Sequence, residues 1–264
     1  MRARINGIEM HFEIDGAAEA PPVVLHHPLA TNLSFWNEFA IRLAPNWRVI
    51  RYDARGHGKS EASPAPYSLD GLADDCIALM NHLGVKRAAY VGLSMGGMVA
   101  QYLGLRYPDR FSCLVIASSS SRIPTDASPV WEDRIRLSRA EGMQSQVGPA
   151  LGRWLAARAR GDETIVGRCT EMIETTPVEG YVGWCHAIRV LDMTDRLSGI
   201  GLPVHVVVGE DDPATPVAAS EAIQRAIPGA TLAIVPNVSH MLAIEDPAAF
   251  AGAVTPFLDR HRPG

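Results

Sequence analysis

The chain has 264 residues, a length that suits one large domain or one domain with an insertion. Hydrophobic residues make up 47% and charged residues 20%, an ordinary globular composition that excludes disorder, collagen and coiled coil. Its 24 basic and 29 acidic residues give a net charge of −5 without a basic run, so nucleic acid and membrane surfaces are not expected partners. No apolar stretch approaches the ~18–20 residues of a membrane span. The four cysteines have neither metal-site nor disulfide-framework spacing, and no secretory signal is recognisable, so we expect a reduced, cytoplasmic protein.

Short apolar runs alternate with helical spacings through the first half of the chain. Residues 8–15 alternate apolar and polar side chains, which predicts a strand with one wet face at an antiparallel edge. Further strands are predicted at 23–25, 48–52, 88–91 and 114–116, and helices at 36–43, 69–83 and 95–107. This alternation is typical of a mostly parallel sheet with helices on both faces.

The alternation stops after Ser121 and resumes at residue 204. Residues 122–194 show amphipathic helical spacing only and are predicted to form a helical cap. Strands at 204–208 and 231–235 then alternate with helices at 220–226 and 248–258. We therefore predict an α/β core made of residues 1–121 and 195–264, with the cap inserted between its two halves.

The strongest local motif is Gly92-Leu93-Ser94-Met95-Gly96, between a predicted strand and a predicted helix. Gly-x-Ser-x-Gly in this context is the nucleophile elbow, whose sharp turn exposes the serine hydroxyl at the carboxyl edge of the sheet. Glycines on both sides remove the Cβ atoms that would clash in such a turn. Ser94 is therefore the candidate nucleophile, and the N–H of Met95, at the helix start, is a candidate oxyanion donor.

A serine nucleophile needs a base, and His240 is the candidate. It lies in a polar loop after strand 231–235, at the carboxyl edge of the sheet. His27 is the main alternative, because His26 and His27 follow strand 23–25 at the same edge. Those two precede the nucleophile, however, where an oxyanion loop belongs. His205 stands inside an apolar strand and is interpreted as a packed residue.

The loop after strand 204–208 contains three consecutive carboxylates, Glu210, Asp211 and Asp212. Asp212 is preferred over Asp211 as the acid that orients the base, because Pro213 directly follows it and restrains the chain. The order Ser94, Asp212, His240 is the Ser…Asp…His order of α/β-hydrolases. The second oxyanion donor is expected in the loop after strand 23–25; Pro28 has no N–H, and Leu29 is the candidate.

Three motifs identify the chain as resembling the α/β-hydrolase family over nearly its whole length. They are the run 52–60, the elbow around Ser94, and Ser239-His240 with Glu245-Asp246-Pro247 behind it. The resemblance implies a mostly parallel sheet with helices on both faces and a helical cap inserted after the sixth strand. It also implies that the run 52–60 is a structural turn, without a catalytic part for His57.

Four stretches are similar, more narrowly, to the 3-oxoadipate enol-lactonases: residues 92–98, 176–181, 187–192 and 212–216. The middle two lie in the predicted cap, which usually sets substrate choice. The resemblance implies hydrolysis of 3-oxoadipate enol-lactone in bacterial aromatic-acid catabolism (the β-ketoadipate pathway), without a metal or organic cofactor. In those lactonases a small polar residue often stands where this chain has His27-Pro28.

The implied substrate carries a free carboxylate, which needs a cation in the pocket. Arg189 is the first candidate, beside a helical stripe at residues 181–191, and Arg134, one turn after Trp131, is the second. Trp131 and Trp184 are candidates for lining the pocket, with a place in the cap core as the alternative for each.

Other functions share parts of this pattern. A broad carboxylesterase, or an acyltransferase that uses an alcohol in place of water, would have the same triad. A non-catalytic ligand receptor is a distant alternative, disfavoured because every triad position holds a competent residue. A haloalkane dehalogenase would need Asp at position 94, and no HxxxH spacing indicates a metal hydrolase. The expected partner is a small ester or lactone; the sequence does not indicate an oligomeric state.

Overall fold

One sheet organises the chain, which a computed structural model describes over residues 1–264. Its eight strands are β1 (Arg2–Ile5), β2 (Ile8–Asp15), β3 (Pro22–His26), β4 (Arg48–Tyr52), β5 (Ala88–Leu93), β6 (Phe111–Ala117), β7 (Val204–Gly209) and β8 (Thr231–Val235). The strand order is β1-β2-β4-β3-β5-β6-β7-β8. Strands β3 to β8 pair in parallel, whereas β2 pairs antiparallel with both β1 and β4.

Helices cover the sheet and connect its strands. They are α1 (Asn37–Leu43), α2 (Leu69–His82), α3 (Met95–Arg106), α4 (Ser128–Glu141), α5 (Gln144–Trp154), α6 (Ala157–Arg160), α7 (Glu163–Glu174), α8 (Val178–Ile188), α9 (Val217–Ala226), α10 (Leu242–Glu245) and α11 (Pro247–Arg260). Strands β5, β6 and β7 are buried along their whole length, which explains why they appear in the sequence as continuous apolar runs. The predicted α/β fold with a mostly parallel sheet is confirmed.

The prediction that residues 8–15 form the edge strand is wrong, because β1 is the terminal strand of the sheet and pairs with residues 8–11 of β2. The two strands are joined by Asn6 and Gly7, which have positive φ values of 44° and 83°. An Asn-Gly pair at positive φ is the preferred two-residue hairpin turn, since its twist matches that of the flanking strands. The sequence therefore contained the signal for β1, next to the short segment 2–5.

Five helices, α4 to α8, lie between β6 and β7, inside the segment predicted as a cap. The two chain passages at the base of this segment pair with each other. Met193 N–H donates to the Ser121 carbonyl at 2.7 Å, and Ile123 N–H donates to the Leu191 carbonyl at 2.9 Å. The helices α4 to α8 are thus attached to the sheet beside the carboxyl end of β6.

Helix α8 approaches the loop that follows β4 very closely. A Cβ atom on Gly180 would overlap the carbonyl of Gly56, so only glycine allows this contact. One turn later, the indole Nε1–H of Trp184 donates to the Arg55 carbonyl at 2.8 Å. The contact places α8 over the carboxyl edge of the sheet. No helix in the chain has both the length and the apolar composition of a membrane span.

Candidate active site

Ser94 lies between the end of β5 and the start of α3, with φ 54° and ψ −109°. This left-handed conformation is strained for a residue with a side chain, and the surroundings hold it. The Ser94 N–H donates to the Ala117 carbonyl at 2.8 Å, and the Ser119 hydroxyl donates to the Ser94 carbonyl at 2.9 Å. A Cβ atom on Gly92 would overlap the Gly96 carbonyl, which is why the tight turn needs glycine there. The backbone is that of a nucleophile elbow.

His240 and Asp212 form a buried pair, 2% and 4% exposed. His240 Nδ1 is 2.9 Å from Asp212 Oδ2, which also accepts the Thr215 hydroxyl at 2.8 Å. Asp212 Oδ1 accepts the backbone N–H groups of Ala214 and Thr215. Although burial opposes its ionisation, His240 and these donors together lower the Asp212 pKa. An ionised Asp212 keeps the proton of His240 on Nδ1 and leaves Nε2 free to accept one.

The two candidate oxyanion donors are backbone N–H groups at the same sheet edge. Met95 is the first residue of α3, so its N–H has no intrahelical partner. Leu29 lies in the loop after β3, and its N–H donates to no backbone carbonyl. Leu29 also lines a cavity shared with Ser94 and His240. Neither N–H has a hydrogen-bond partner within the chain, so both remain candidate oxyanion donors.

A cavity of about 290 Å³ lies between the carboxyl edge of the sheet and the cap helices. The core contributes Ser94, His240 and the loop residues Pro28, Leu29 and Ala30. The cap contributes Ile123, Trp131, Arg134, Gln146, Ala150, Arg153, Trp154, Tyr181 and Ile188, and the remaining lining residues are Met98, Ser120, Pro213, Ala214 and Thr215. The lining contains two arginines and no carboxylate. The structure thus brings Ser94 and His240 to one enclosed space with a cationic cap side.

Of the sequence-predicted pocket residues, Trp131 and Arg134 are in the cavity lining. The Arg134 guanidinium lies 4.4 Å from the centre of the Trp131 ring. Arg153 also lines the cavity and was not predicted. Burial, with the charge of Arg134 second, lowers the Arg153 pKa to about 10. The sequence offers no signal that separates Arg153 from the other cap arginines, because its position depends on how α5 is rotated.

The structure places Trp184 and Arg189 outside the cavity, although both were predicted to contact the substrate. Trp184, on the inner side of α8, is fully buried, and its ring is edge-on to the rings of His26 and His57. Arg189 follows α8 on the outer surface, 3.8 Å from Glu132. The helix presents Tyr181 and Ile188 to the cavity instead. Helical spacing placed Tyr181, Trp184 and Ile188 on one stripe, but only Tyr181 and Ile188 line the cavity. Trp184 is instead held against the loop after β4 by its hydrogen bond to the Arg55 carbonyl.

Glu245 connects the cap with the loop that carries His240. Its carboxylate accepts the Ser239 N–H at 3.1 Å and the Ala156 N–H, between α5 and α6, at 3.0 Å. Beside it, the Met241 N–H donates to the Trp154 carbonyl at 3.1 Å. The cap segment that supplies Arg153 and Trp154 to the cavity is therefore bonded directly to the neighbours of His240.

Three histidines at the ends of β3 and β4 are buried: His26, His27 and His57 are 1%, 0% and 0% exposed. Burial is the main cause that lowers the pKa of each, because the charged form would lose its hydration. For His26 and His57 the neighbouring histidines lower the pKa further, whereas the charge of Asp53 opposes the shift of His27. The fold therefore favours neutral imidazoles here.

We expect the protein to lose stability as the pH falls below about 6.5, the pKa of an unfolded histidine. In that range the histidines of the unfolded chain take up protons, whereas the buried histidines of the folded chain do not. Each buried histidine can therefore lower the free energy of unfolding by up to about 1.4 kcal/mol per pH unit of decrease. Urea unfolding at about pH 7.5 and 5.5 measures the free energies of unfolding. Replacing His205, whose pKa burial also lowers, should reduce the dependence of the free energy of unfolding on pH. Equal free energies at the two pH values would contradict the expectation.

Comparison with known proteins agrees with this architecture. Residues 21–247 match the family described as alpha/beta hydrolase fold. The chain is 32% identical to 3-oxoadipate enol-lactonase 2 of Acinetobacter baylyi over 96% of this chain and 94% of the relative. A crystal structure of the enol-lactonase from Burkholderia xenovorans superposes with a TM-score of 0.94 and 35% identity over 98% of this chain and 100% of the other.

A thermophilic esterase from Thermogutta terrifontis, solved with malate bound, superposes equally well. Its TM-score is 0.94 at 27% identity, and all of both chains, 100% of each, is covered. The match to the family extends from β3 to the start of α11 and includes the elbow, the His240–Asp212 pair and the cap helices. The chain belongs to the α/β-hydrolase fold family.

Proposed function

We propose that this protein is a carboxylic-ester hydrolase that cleaves an ester or lactone through an acyl-enzyme on Ser94. The observation that carries the proposal is the elbow serine and the Asp212-bound imidazole of His240 lining one cavity. A hydroxyl is a weak nucleophile at neutral pH, and a neighbouring imidazole held in one tautomer is what activates it.

In the proposed reaction, His240 Nε2 takes the proton of Ser94 as the hydroxyl oxygen attacks the carbonyl carbon. The N–H groups of Leu29 and Met95 stabilise the resulting oxyanion. Asp212 stabilises the imidazolium, which then returns the proton to the leaving oxygen as the ester bond breaks. His240 next removes a proton from water, whose oxygen attacks the acyl carbon and releases Ser94 and the acid. No step needs a cofactor.

The cavity favours a substrate with a free carboxylate. Arg134 and Arg153 are two like charges facing one enclosed space, and neither forms an ion pair within the chain. An anionic group between them would relieve their repulsion and form charge-assisted hydrogen bonds. Together with the enol-lactonases among the relatives, this supports 3-oxoadipate enol-lactone, in aromatic-compound catabolism, as the substrate. The esterase solved with malate bound supports carboxylate binding on the same fold.

A broader carboxylesterase, or an acyltransferase, is the second candidate, favoured by the apolar part of the cavity. Ten of the nineteen lining residues are hydrophobic, which would accept a plain acyl chain. Values of kcat/KM for 3-oxoadipate enol-lactone, a neutral lactone and p-nitrophenyl esters, with and without added alcohol, separate these functions. A preference for neutral esters would contradict the lactone proposal, and faster turnover with alcohol would indicate acyl transfer.

We expect Arg134→Met and Arg153→Met each to lower kcat/KM for a carboxylate-bearing lactone by about 10–100-fold, because hydrogen bonds to charged groups contribute about 1.5–3 kcal/mol. For p-nitrophenyl butyrate the decrease should stay below about threefold, since that substrate has no charge to bind. Arg136→Met is the matched control on the exposed side of α4, where Arg136 pairs with Asp133. An equal decrease for both substrates would contradict carboxylate recognition by these side chains.

A further inference from the structure

The loop after β3 holds the carbonyl of Pro28 with two buried side chains. His27 Nδ1 lies 2.8 Å from this oxygen, and the Thr31 hydroxyl donates to it at 2.8 Å. Both side chains are fully buried, whereas Pro28 and Leu29 line the cavity. The carbonyl of the Pro28–Leu29 peptide therefore points away from the cavity, into the protein.

The planarity of a trans peptide then determines where the Leu29 N–H points. The only cis peptide bond in the chain is Ala65–Pro66, so the Pro28–Leu29 peptide is trans. In a trans peptide the C=O and N–H bonds point in opposite directions. Because the Pro28 carbonyl points inward, the Leu29 N–H points to the cavity, the direction that an oxyanion donor needs.

The hydrogen bonds at the other ring nitrogen show which tautomer His27 adopts. The backbone N–H of Ala54, in the loop after β4, donates to His27 Nε2 at 2.9 Å. A backbone N–H can only donate, so Nε2 carries the lone pair, and the proton of the neutral ring is on Nδ1. His27 Nδ1–H is therefore the donor to the Pro28 carbonyl, and the bond from Ala54 sets its direction.

A second histidine makes the converse bond between the same two loops. The Ala30 N–H donates to His57 Nε2 at 3.0 Å, so His57 of the loop after β4 holds the loop after β3. Ala30 has φ 57°, a left-handed conformation that costs free energy for a residue other than glycine. This bond holds Ala30, the residue directly after Leu29, in that conformation.

We infer that His27 is a positioning residue of the oxyanion hole, with its Nδ1–H orienting the Pro28–Leu29 peptide so that the Leu29 N–H faces the substrate carbonyl. Thr31 supports the same carbonyl, and His57 secures the adjoining peptide. The inference rests on the proposed acyl-enzyme chemistry at Ser94. It gives His27 a part in the reaction without making it an alternative base, because both ring nitrogens are already engaged by the backbone.

Two substitutions of His27 separate its two hydrogen bonds. The amide nitrogen of Asn lies near the position of Nδ1 and can still donate to the Pro28 carbonyl, whereas the amide oxygen of Gln lies near Nε2 and can accept only from Ala54. We expect His27→Gln to lower kcat for p-nitrophenyl butyrate by about 10–100-fold with KM changed less than about threefold, a partial loss of one oxyanion donor. His27→Asn should retain at least about a third of the wild-type kcat, on the same reasoning.

A fluorophosphonate probe provides a readout that does not depend on the natural substrate, because phosphonylation of Ser94 uses the same oxyanion donors. The labelling rate should fall for His27→Gln and for Thr31→Val, and stay at the wild-type level for the remote control His205→Gln. A wild-type labelling rate in His27→Gln, or an equal loss in His27→Asn and His27→Gln, would overturn the inference while the proposed function stands. A wild-type protein that does not label would contradict the proposed function itself.

The tautomer can be measured on the unaltered protein, in case a variant does not fold. Long-range ¹H–¹⁵N NMR spectra at neutral pH should show His27 protonated at Nδ1 and unprotonated at Nε2. The Nδ1–H form is the minor tautomer of free histidine, so its presence would be specific to these hydrogen bonds. A His27 ring that carries its proton on Nε2, or that is charged, would overturn the inference.

Discussion

Replacing Ser94 with alanine is expected to lower kcat by about 10⁴-fold or more, because the triad acts as a unit and loses its nucleophile. Alanine keeps the Cβ atom of serine, so the strained backbone at φ 54° should persist and the fold should not change. The measurement is single-substrate kinetics of the purified variant, together with its thermal midpoint. KM should change little, since the cavity lining otherwise remains intact.

The matched control for this substitution is Ser112→Ala. Ser112 is a buried serine near the start of β6, at the sheet edge opposite the cavity. It tests whether the loss of a buried hydroxyl affects turnover through stability alone. Near-wild-type turnover in Ser94→Ala, or a comparable loss in Ser112→Ala, would contradict an acyl-enzyme on Ser94.

The second large effect is expected for Asp212→Asn, with a decrease in kcat of about 10³–10⁴-fold. Two backbone N–H groups donate to Asp212 Oδ1, so the oxygen of the asparagine amide should occupy that position. Its NH₂ group then faces His240 Nδ1, which must accept rather than donate. The proton of the imidazole moves to Nε2, and the ring can no longer take the proton of Ser94.

Asp211→Asn is the control for this change, because it removes a neighbouring carboxylate whose side chain is exposed. We expect it to keep wild-type kcat. The double variant Ser94→Ala with Asp212→Asn should be no slower than Ser94→Ala alone, since members of one catalytic unit are not additive. Equal losses in the two aspartate variants, or an Asp212→Asn variant within about tenfold of wild type, would count against the assigned tautomer role.

Local motifs account for what could be predicted about the fold and the candidate triad. The elbow around Ser94 is a five-residue pattern whose glycines are needed by the turn itself, so it is visible without any tertiary information. Asp212 and His240 each follow a predicted parallel strand, and the carboxyl ends of such strands share one edge of the sheet. The shared edge is why residues 118 positions apart in sequence, Ser94 and Asp212, could be assigned to one site.

The errors arose where a local pattern had more than one three-dimensional outcome. The alternating pattern of β2 is the same whether its outer side is free or covered by a short strand, and only pairing with β1 decides this. The sequence left the same two alternatives for Trp131 and Trp184, cavity or cap core, yet Trp131 lines the cavity and Trp184 is fully buried outside it. Spacing shows which residues share a helix face but not the direction in which that face points.

The sequence by itself determined the α/β fold, because strand and helix periodicity alternate along the chain. It also predicted a helical segment between the two halves of the sheet and the candidate nucleophile, base and acid, because each follows from periodicity or from a short motif. Only the tertiary structure decided which cap arginines face the cavity and what His27 does. Those properties depend on contacts between segments distant in the chain, such as Gly180 on Gly56 and His27 on Ala54. Such contacts are formed by the packing of whole elements, for which neighbouring residues carry no signal.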